Sequence, residues 1–293
     1  MTSPTSPLTV AAPDGLEVVV HDLAPGAEGP PLLISHATGF CAHAYQPIAA
    51  AVADRRHSLA MDHRGHGATA APPGWQAGEG VDWAPFGTDT LAVARALAPP
   101  GGLLGFGHSM GASSLLLAAH RHPALFDRLV LFEPIGGPPL DATVDATLDL
   151  EAIPIVIGAR RRRRRFDSFE QAYDNFRSKP PLSQMTPESL RGYVHHGLRP
   201  VADGGVELCC PPELEAAIFV AGFDNGVWDV LPDIDVPVTV ITGFVEPLGT
   251  SFRSTQIAER LPRGKLVVLP HMDHFGPFSH PREIAELIVA GAS

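Results

Sequence analysis

The chain has 293 residues, of which 45% are hydrophobic, and a formal net charge of −11 at pH 7. This length accommodates one large α/β domain or a domain that carries an insertion. The acidic balance argues against nucleic acids and anionic membranes as partners.

The N-terminal residues and the cysteines indicate the compartment. Residues 1–7 lack the basic and apolar regions of a secretory signal peptide, and no apolar run approaches the ~18 residues of a membrane span. Cys41, Cys209 and Cys210 are too few for a disulfide framework, and the histidines show no zinc-like spacing. We therefore expect a cytoplasmic protein with no membrane partner, no metal and no cofactor. The sequence leaves a homo-oligomer open.

In the first half of the chain, short apolar runs alternate with segments of helical periodicity. This alternation indicates a mostly parallel sheet with helices on both faces, whose functional loops follow the carboxyl ends of the strands. The predicted elements are two strands within 8–22, a strand at 32–35, a helix at about 44–53, a strand at 58–61, a helix at 88–97, a strand before residue 107, a helix from 113 and a strand at 127–132.

The alternation stops after Glu133 and resumes near residue 237. Residues 134–236 contain several prolines and helical stretches, and we interpret them as an inserted, mostly helical cap. The predicted organisation is thus a first core half at 1–133, a cap at 134–236 and a second core half at 237–293. The elements predicted in that second half are a strand at 238–242, a helix at 252–261, a strand at 265–269 and a helix at 281–290.

A Gly-x-Ser-x-Gly sequence, Gly107 to Gly111, stands between an apolar strand and a helix. Such a context is typical of a nucleophile elbow, in which the central serine sits on a very sharp turn. Gly107 and Gly111 suit this turn because they have no Cβ to collide. The alternative is a glycine-rich turn without chemistry. We expect Ser109 to be a nucleophile.

Three further loops follow predicted strands, at His36–Phe40, Asp62–Gly67 and Pro270–Pro277. With the serine turn, they make the sequence resemble the α/β-hydrolase family, in particular its cap-bearing esterase, lactonase and haloperoxidase-like branch. The resemblance covers residues 17–133 and 237–291 and is weak in between. It implies an α/β-hydrolase fold, a mostly parallel central sheet flanked by helices, with an inserted helical cap. The Asp62–Gly67 loop is expected to be structural.

The family's order of serine, acid and histidine implies roles for residues of this chain. Ser109 would be the nucleophile and His274 the base, preferred over His271 because it precedes a small, apolar turn. Glu246 follows the strand that begins at Val238, where the family usually has an aspartate, and is the preferred acid. Glu133, at the end of the preceding strand, is the alternative acid.

The resemblance also implies an oxyanion hole and substrate contacts. The backbone N–H of Met110 is one expected donor, and that of Thr38 or its successor Gly39 is the second. His36 is weighed as a loop anchor as well. The residues expected at the substrate are His36, Gly39, Phe40, His108 and Phe275.

Six consecutive arginines, Arg160 to Arg165, stand within the predicted cap of this acidic protein. One interpretation is a solvated helix that pairs with acidic neighbours. The other is that one or two arginines reach the cleft and bind a substrate carboxylate. The aromatic residues after this run recur at helical spacing and form a stripe that we interpret as the underside of the cap, which either packs on the core or lines an apolar acyl pocket. They are Phe166, Phe169, Tyr173 and Phe176.

The sequence therefore favours a serine hydrolase that cleaves a carboxylic ester or lactone of a small molecule through an acyl-serine intermediate. A carbon–carbon bond hydrolase and a haloperoxidase-like enzyme use the same triad and stay open. So does a small-molecule binder without catalysis. Epoxide hydrolases and dehalogenases are disfavoured because their nucleophile is a carboxylate, whereas Ser109 occupies the turn here.

Overall fold

The computed structural model describes residues 7–138, 149–244 and 250–290. Eleven strands lie in these ranges: β1 Leu8–Ala11, β2 Glu17–Asp22, β3 Pro31–Ser35, β4 His57–Met61, β5 Leu103–His108, β6 Phe126–Phe132, β7 Arg165–Phe166, β8 Leu198–Pro200, β9 Val206–Leu208, β10 Val238–Thr242 and β11 Gly264–Val268. The α-helices there are α1 Gln46–Val52, α2 Ala84–Leu97, α3 Met110–Arg121, α4 Pro154–Arg160, α5 Phe169–Arg177, α6 Pro187–Gly197, α7 Pro212–Ala221, α8 Val227–Val230, α9 Thr250–Arg260, α10 Gly276–Ser279 and α11 Pro281–Val289.

Eight strands form one sheet in the order β1-β2-β4-β3-β5-β6-β10-β11. The β1–β2 and β2–β4 pairs are antiparallel, and all other pairs are parallel. The predicted sheet is thereby confirmed. Because the carboxyl ends of parallel strands share an edge, the residues that follow β3, β4, β5, β6 and β10 meet there; they are His36, Asp62, Ser109, Glu133 and Gly243.

The apolar runs of the central strands supply a hydrophobic layer on each face of the sheet. In β3, Leu32 and Ile34 belong to the cluster on the side of α1 and α11, whereas Leu33 belongs to the cluster on the side of α2 and α3. Successive side chains of a strand point to opposite faces, so a continuous apolar run is what a sheet covered on both sides requires. This rigid centre fixes the positions of the loops at the carboxyl edge.

The chain leaves the sheet after β6 and returns to it at β10, and we call residues 134–237 the insertion. Its described part contains α4 to α8 and a small antiparallel sheet of β7, β9 and β8. The expectation of a mostly helical segment missed this sheet, because strands of two or three residues are too short to show a period. The boundaries proposed for a separate cap stay a prediction.

Helix α2 begins at Ala84, four residues before the predicted start at 88. Pro85 lies in its first turn, where a missing N–H breaks no helical hydrogen bond. A proline that the sequence suggested as part of a loop therefore opens the helix. Within the described residues, no helix has the length and apolar character needed to cross a membrane.

Candidate active site

Ser109 occupies the sharp turn between β5 and α3, with φ 54° and ψ −115°. This left-handed backbone is rare for a residue with a side chain and is typical of strained functional turns. A Cβ on Gly107 would lie 2.5 Å from Cα of Ala112, and a Cβ on Gly111 would lie 2.1 Å from the carbonyl oxygen of Ser35. Both glycines are thus required by close backbone packing, as the sequence predicted.

The imidazole of His274 lies in the loop after β11 and contacts Glu133, which directly follows β6. Nδ1 of His274 is 2.6 Å from Oε2 of Glu133. The carboxylate is 2% exposed, and its Oε1 accepts hydrogen bonds from the Gly243 N–H at 2.9 Å and the Thr242 hydroxyl at 3.3 Å. A carboxylate that accepts from Nδ1 orients the ring and leaves Nε2 as its basic nitrogen.

The two candidate acids and the two candidate bases differ in what the structure describes. Glu246, the preferred acid, lies outside the described residues, whereas Glu133, the alternative, contacts His274. His271 lies 3.0 Å from Glu283 and its side chain is half exposed. Between the two histidines, His274 is therefore the one brought to Glu133 and to the cavity that Ser109 lines.

In the loop after β3, the N–H groups of Ala37 and Gly39 are engaged, whereas that of Thr38 is not engaged within the described structure. The N–H of Ala37 donates to the Tyr45 hydroxyl at 3.1 Å, and that of Gly39 donates to Nε2 of His66 at 2.9 Å. No acceptor for the Thr38 N–H occurs among the described residues. This favours Thr38 over Gly39 as a donor to a developing oxyanion.

Met110 begins α3, and the first N–H groups of a helix have no partner within it. The N–H of the preceding Ser109 is engaged, since it donates to the Phe132 carbonyl at 2.9 Å. The Met110 N–H lies at the positive end of a twelve-residue helix. This is the arrangement in which a backbone donor stabilises negative charge on a substrate oxygen.

Buried histidines hold the loops beneath the site. His36 donates from Nδ1 to the Ala37 carbonyl at 2.8 Å and accepts at Nε2 from the His63 N–H at 2.9 Å. Burial lowers the pKa of His36 and of His63, and lowers that of His66 to about 3. His36 and His66 each accept a backbone N–H at Nε2, so these two rings are neutral and connect the loops through hydrogen bonds. Among the described residues, no group of three potential ligands is placed to hold a metal ion.

His108 precedes the serine and connects the same loops. Its Nδ1 lies 2.8 Å from the Tyr45 hydroxyl, and its ring lies 4.8 Å from the His274 ring. Burial, followed by the proximity of His274, lowers the pKa of His108 well below its usual value. A neutral His108 adds no like charge to an imidazolium at His274.

The Asp62–Gly67 loop is fixed by buried polar contacts. Asp62 accepts hydrogen bonds from the N–H groups of Ala42 at 2.8 Å and Ala68 at 2.9 Å. Arg64 binds Asp89 through two hydrogen bonds of 2.8 and 2.7 Å. These contacts support the structural role expected for this loop.

A cavity of about 730 Å³ lies between the carboxyl edge of the sheet and the insertion. Of the residues predicted at the substrate, Phe40, His108 and Phe275 line it, whereas His36 and Gly39 do not. Ser109, His274 and Thr38 line it as well. Within the described residues, no hydrogen bond joins the Ser109 hydroxyl to His274, a contact that often tightens only when substrate is bound.

The insertion contributes a pair of opposite charges to the cavity, Arg162 and Glu215. Arg162 donates to Oε2 of Glu215 at 2.5 Å and to the Tyr193 hydroxyl. Burial disfavours the charge of Arg162, but Glu215 and Tyr193 raise its pKa overall. The arginine run flagged Arg162, whereas nothing in the sequence marked its two partners.

Part of the arginine run pairs with acidic neighbours and part of it lines the cavity, so each of the two expected placements holds for some of its residues. Arg160, Arg164 and Arg165 pair with the carboxylates of Glu151, Glu207 and Asp203. The other three arginines, 161–163, line the cavity.

The aromatic stripe of the insertion has a double role. Phe166, Phe169, Tyr173 and Phe176 all pack with the cluster on the α1 side of the sheet. Phe176 also lines the cavity.

A sequence model of the alpha/beta hydrolase family matches residues 7–287. The chain is 25% identical over 260 residues to a 2-(acetamidomethylene)succinate hydrolase of Mesorhizobium japonicum. This match covers 84% of the chain and 82% of that protein.

Solved structures resemble the chain over nearly its whole length. The crystal structure of E-2-(acetamidomethylene)succinate hydrolase superposes with a TM-score of 0.76 and 21% identity, covering 97% of each chain. The thioesterase domain from the curacin biosynthetic pathway superposes with a TM-score of 0.75 and 19% identity, covering 98% of this chain and all of that one. A thermophilic esterase from Thermogutta terrifontis superposes with a TM-score of 0.68 and 17% identity, covering 97% of each chain. At these identities the likeness establishes the fold.

Proposed function

The chain belongs to the alpha/beta hydrolase family, and we propose that it is a serine hydrolase that cleaves a carboxylic ester or lactone. The observation that carries this proposal is the 2.6 Å contact between His274 and Glu133 at the cavity that Ser109 lines. A nucleophile, a basic nitrogen and an orienting carboxylate are the three groups that acyl transfer by serine requires.

The reaction follows from these positions. Nε2 of His274 takes the proton of the Ser109 hydroxyl as its oxygen attacks the substrate carbonyl carbon. The resulting oxyanion accepts hydrogen bonds from the N–H groups of Thr38 and Met110. His274 then protonates the departing alcohol, which leaves an acyl group on Ser109. A water molecule, deprotonated by the same histidine, releases the acid and restores the hydroxyl.

We assign the acid role to Glu133. Its carboxylate is buried, directly follows β6 and accepts from the imidazole and from the Gly243 N–H. The role of this carboxylate is to hold the ring and to stabilise the imidazolium. The preference for Glu246 rested on the position that the family usually uses, and the contact to His274 favours Glu133 instead.

A second candidate is hydrolysis of an amide-type bond by the same residues. It is supported by the relative from Mesorhizobium japonicum, whose name denotes a succinate that carries an acetamido group. Ester and amide cleavage both pass through a tetrahedral oxyanion, so the three side chains and two N–H groups would serve either reaction.

The test measures hydrolysis of 4-nitrophenyl esters whose acyl groups have two to eight carbon atoms, by the wild-type protein and by the Ser109→Ala variant. We expect nitrophenol release that saturates with substrate and disappears in the variant. If the folded wild-type protein releases no nitrophenol above the Ser109→Ala rate, from these esters or from an anionic half-ester, ester hydrolysis is wrong. Release of acetate from an N-acetyl enamine substrate would then favour the amide-type reaction.

A further inference from the structure

The cavity is a positively charged region within an acidic protein. Its described lining contains four cationic side chains and one carboxylate, whereas the whole chain has a formal net charge of −11. The cations are Arg161, Arg162, Arg163 and Lys179, and the carboxylate is Glu215. A concave site lined by one sign of charge attracts ligands of the opposite sign.

Three of these four cations already have partners in the protein. Arg162 is bound by Glu215 and Tyr193. Arg163 donates to Gln171 at 2.8 Å and lies over the Phe166 ring.

Lys179 donates to Oδ1 of Asn175 at 2.9 Å. Its partner is a neutral amide, so its charge is not neutralised by this contact. Lys179 therefore adds positive potential to the cavity.

Arg161 differs from its neighbours in the run. It directly follows α4 and lines the cavity, and its guanidinium makes no ion pair or hydrogen bond within the part of the chain that the structure describes. The adjacent Arg160 instead binds Glu151 through hydrogen bonds of 2.8 and 2.7 Å. The donors of Arg161 are thus available to a ligand.

We propose that Arg161 binds a carboxylate on the substrate, remote from the bond that is cleaved. The guanidinium presents paired donors that match the two oxygens of a carboxylate. The cavity is also lined by the apolar residues Phe176, Leu182 and Phe219, which suit the methylene groups of such a substrate. The substrate class is a half-ester, or an equivalent acyl derivative, of a short dicarboxylic acid. The identity of the cleaved bond rests on the proposed function, whereas the carboxylate contact is independent of it.

The first test measures binding without turnover. Monomethyl glutarate and its neutral analogue dimethyl glutarate are titrated calorimetrically into the Ser109→Ala variant. We expect the anion to bind at least 10-fold more tightly and its affinity to fall with ionic strength, because Arg161 is exposed to solvent.

Substitutions at two neighbouring arginines test whether Arg161 causes the preference for the anionic ligand. Adding Arg161→Gln to the Ser109→Ala background should reduce the affinity for monomethyl glutarate about 10- to 100-fold, the usual size of a charged hydrogen-bonded contact. Affinity for dimethyl glutarate should be unchanged. Arg160→Gln is the matched control, since Arg160 does not line the cavity, and it should retain the preference. Equal affinities for the two glutarates, or a preference that survives Arg161→Gln, would overturn the assignment.

Kinetics separate this inference from the proposed function. With the wild-type serine, kcat/KM is compared for mono-4-nitrophenyl glutarate and 4-nitrophenyl butyrate. Turnover of both esters without a preference for the anion would contradict the role of Arg161 but would still support the proposal of a serine hydrolase. Tight, Arg161-dependent binding of monomethyl glutarate without turnover of either ester retains the anion site and contradicts ester hydrolysis.

Discussion

The carboxylate of Glu133 reaches the imidazole of His274 from a residue that itself has a left-handed backbone, with φ 43°. Such strain persists where the surrounding structure holds it, here through the Gly243 N–H on the neighbouring strand end. The position of one side chain thus depends on three segments that are distant in sequence. Ser109, with φ 54°, is the other described non-glycine residue with positive φ.

Replacing Glu133 by glutamine tests its assignment as the acid. The amide retains the size of the side chain but cannot stabilise an imidazolium, and its NH₂ group favours the wrong tautomer of His274. We expect kcat for a 4-nitrophenyl ester to fall on the order of 10³–10⁴-fold, as such substitutions do in serine hydrolases. Glu246→Gln is the control and should change kcat less than about 10-fold. The reverse order of effects would make Glu246 the acid.

The buried His66 predicts an acid-dependent loss of stability. Its Nε2 accepts the Gly39 N–H, so the ring must be neutral in the folded state, and burial lowers its pKa from 6.5 to about 3. Between these two pH values the unfolded chain binds more protons than the folded one. The free energy of unfolding therefore decreases as the pH falls from about 6.5 towards 3.

Urea unfolding at pH 7, 6, 5 and 4 measures this dependence. We expect His66→Gln to reduce the slope of the free energy of unfolding against pH by the equivalent of up to about one proton taken up on unfolding. The slope that remains comes from the other buried histidines. His271→Gln, at an exposed histidine, should leave the slope as in the wild type. An unchanged slope in His66→Gln would contradict the neutral, buried state of this ring.

The segment after α4 and helix α7 meet the loop after β3 through the pair of Arg162 and Glu215. A Cβ on Gly39 would lie 2.4 Å from Oε1 of Glu215, so the carboxylate packs directly against that loop. Thr38, the proposed oxyanion donor, is the adjacent residue. The insertion thereby packs against the carboxyl edge of the sheet in addition to covering it.

Glu215→Gln should weaken this junction. It leaves the charge of Arg162, 19% exposed, without its carboxylate. We expect the free energy of unfolding to fall by less than the ~3–5 kcal/mol of a fully buried pair but by more than the ~0–1 kcal/mol of an exposed one. Glu151→Gln, which breaks the exposed pair with Arg160, is the matched control. If Glu215→Gln and Glu151→Gln lower the free energy of unfolding equally in chemical denaturation, the pair of Arg162 and Glu215 has no special role.

Over the whole molecule, the strands and helices of the core could be predicted from the sequence. The apolar runs of β3, β5 and β6 are continuous because both faces of the sheet are covered, and each ends in a polar loop at the same edge. Spacing around Ser109 predicted the sharp turn, because Gly107 and Gly111 are the two positions where backbone segments touch. These features are local, so the sequence encodes them directly.

The contact between Glu133 and His274 and the division of the arginine run could not be predicted. Glu133 and Glu246 both follow strands, β6 and β10, that are neighbours in the sheet, and local sequence alone does not show that Glu133 contacts the imidazole. Arg160 and Arg161 are identical in type and adjacent, yet one pairs with Glu151 and the other lines the cavity. Both outcomes depend on tertiary packing of the insertion and of loops far apart in the chain.

The central claim is that Ser109 is an activated nucleophile, and covalent labelling tests it most directly. The protein is treated with a fluorophosphonate, which forms a stable adduct with activated serines, and the modified peptide is located by mass spectrometry. We predict one adduct per chain, on Ser109, with labelling abolished in Ser109→Ala and strongly slowed in His274→Ala. A folded wild-type protein that stays unmodified, or that is labelled at another residue, would contradict the account.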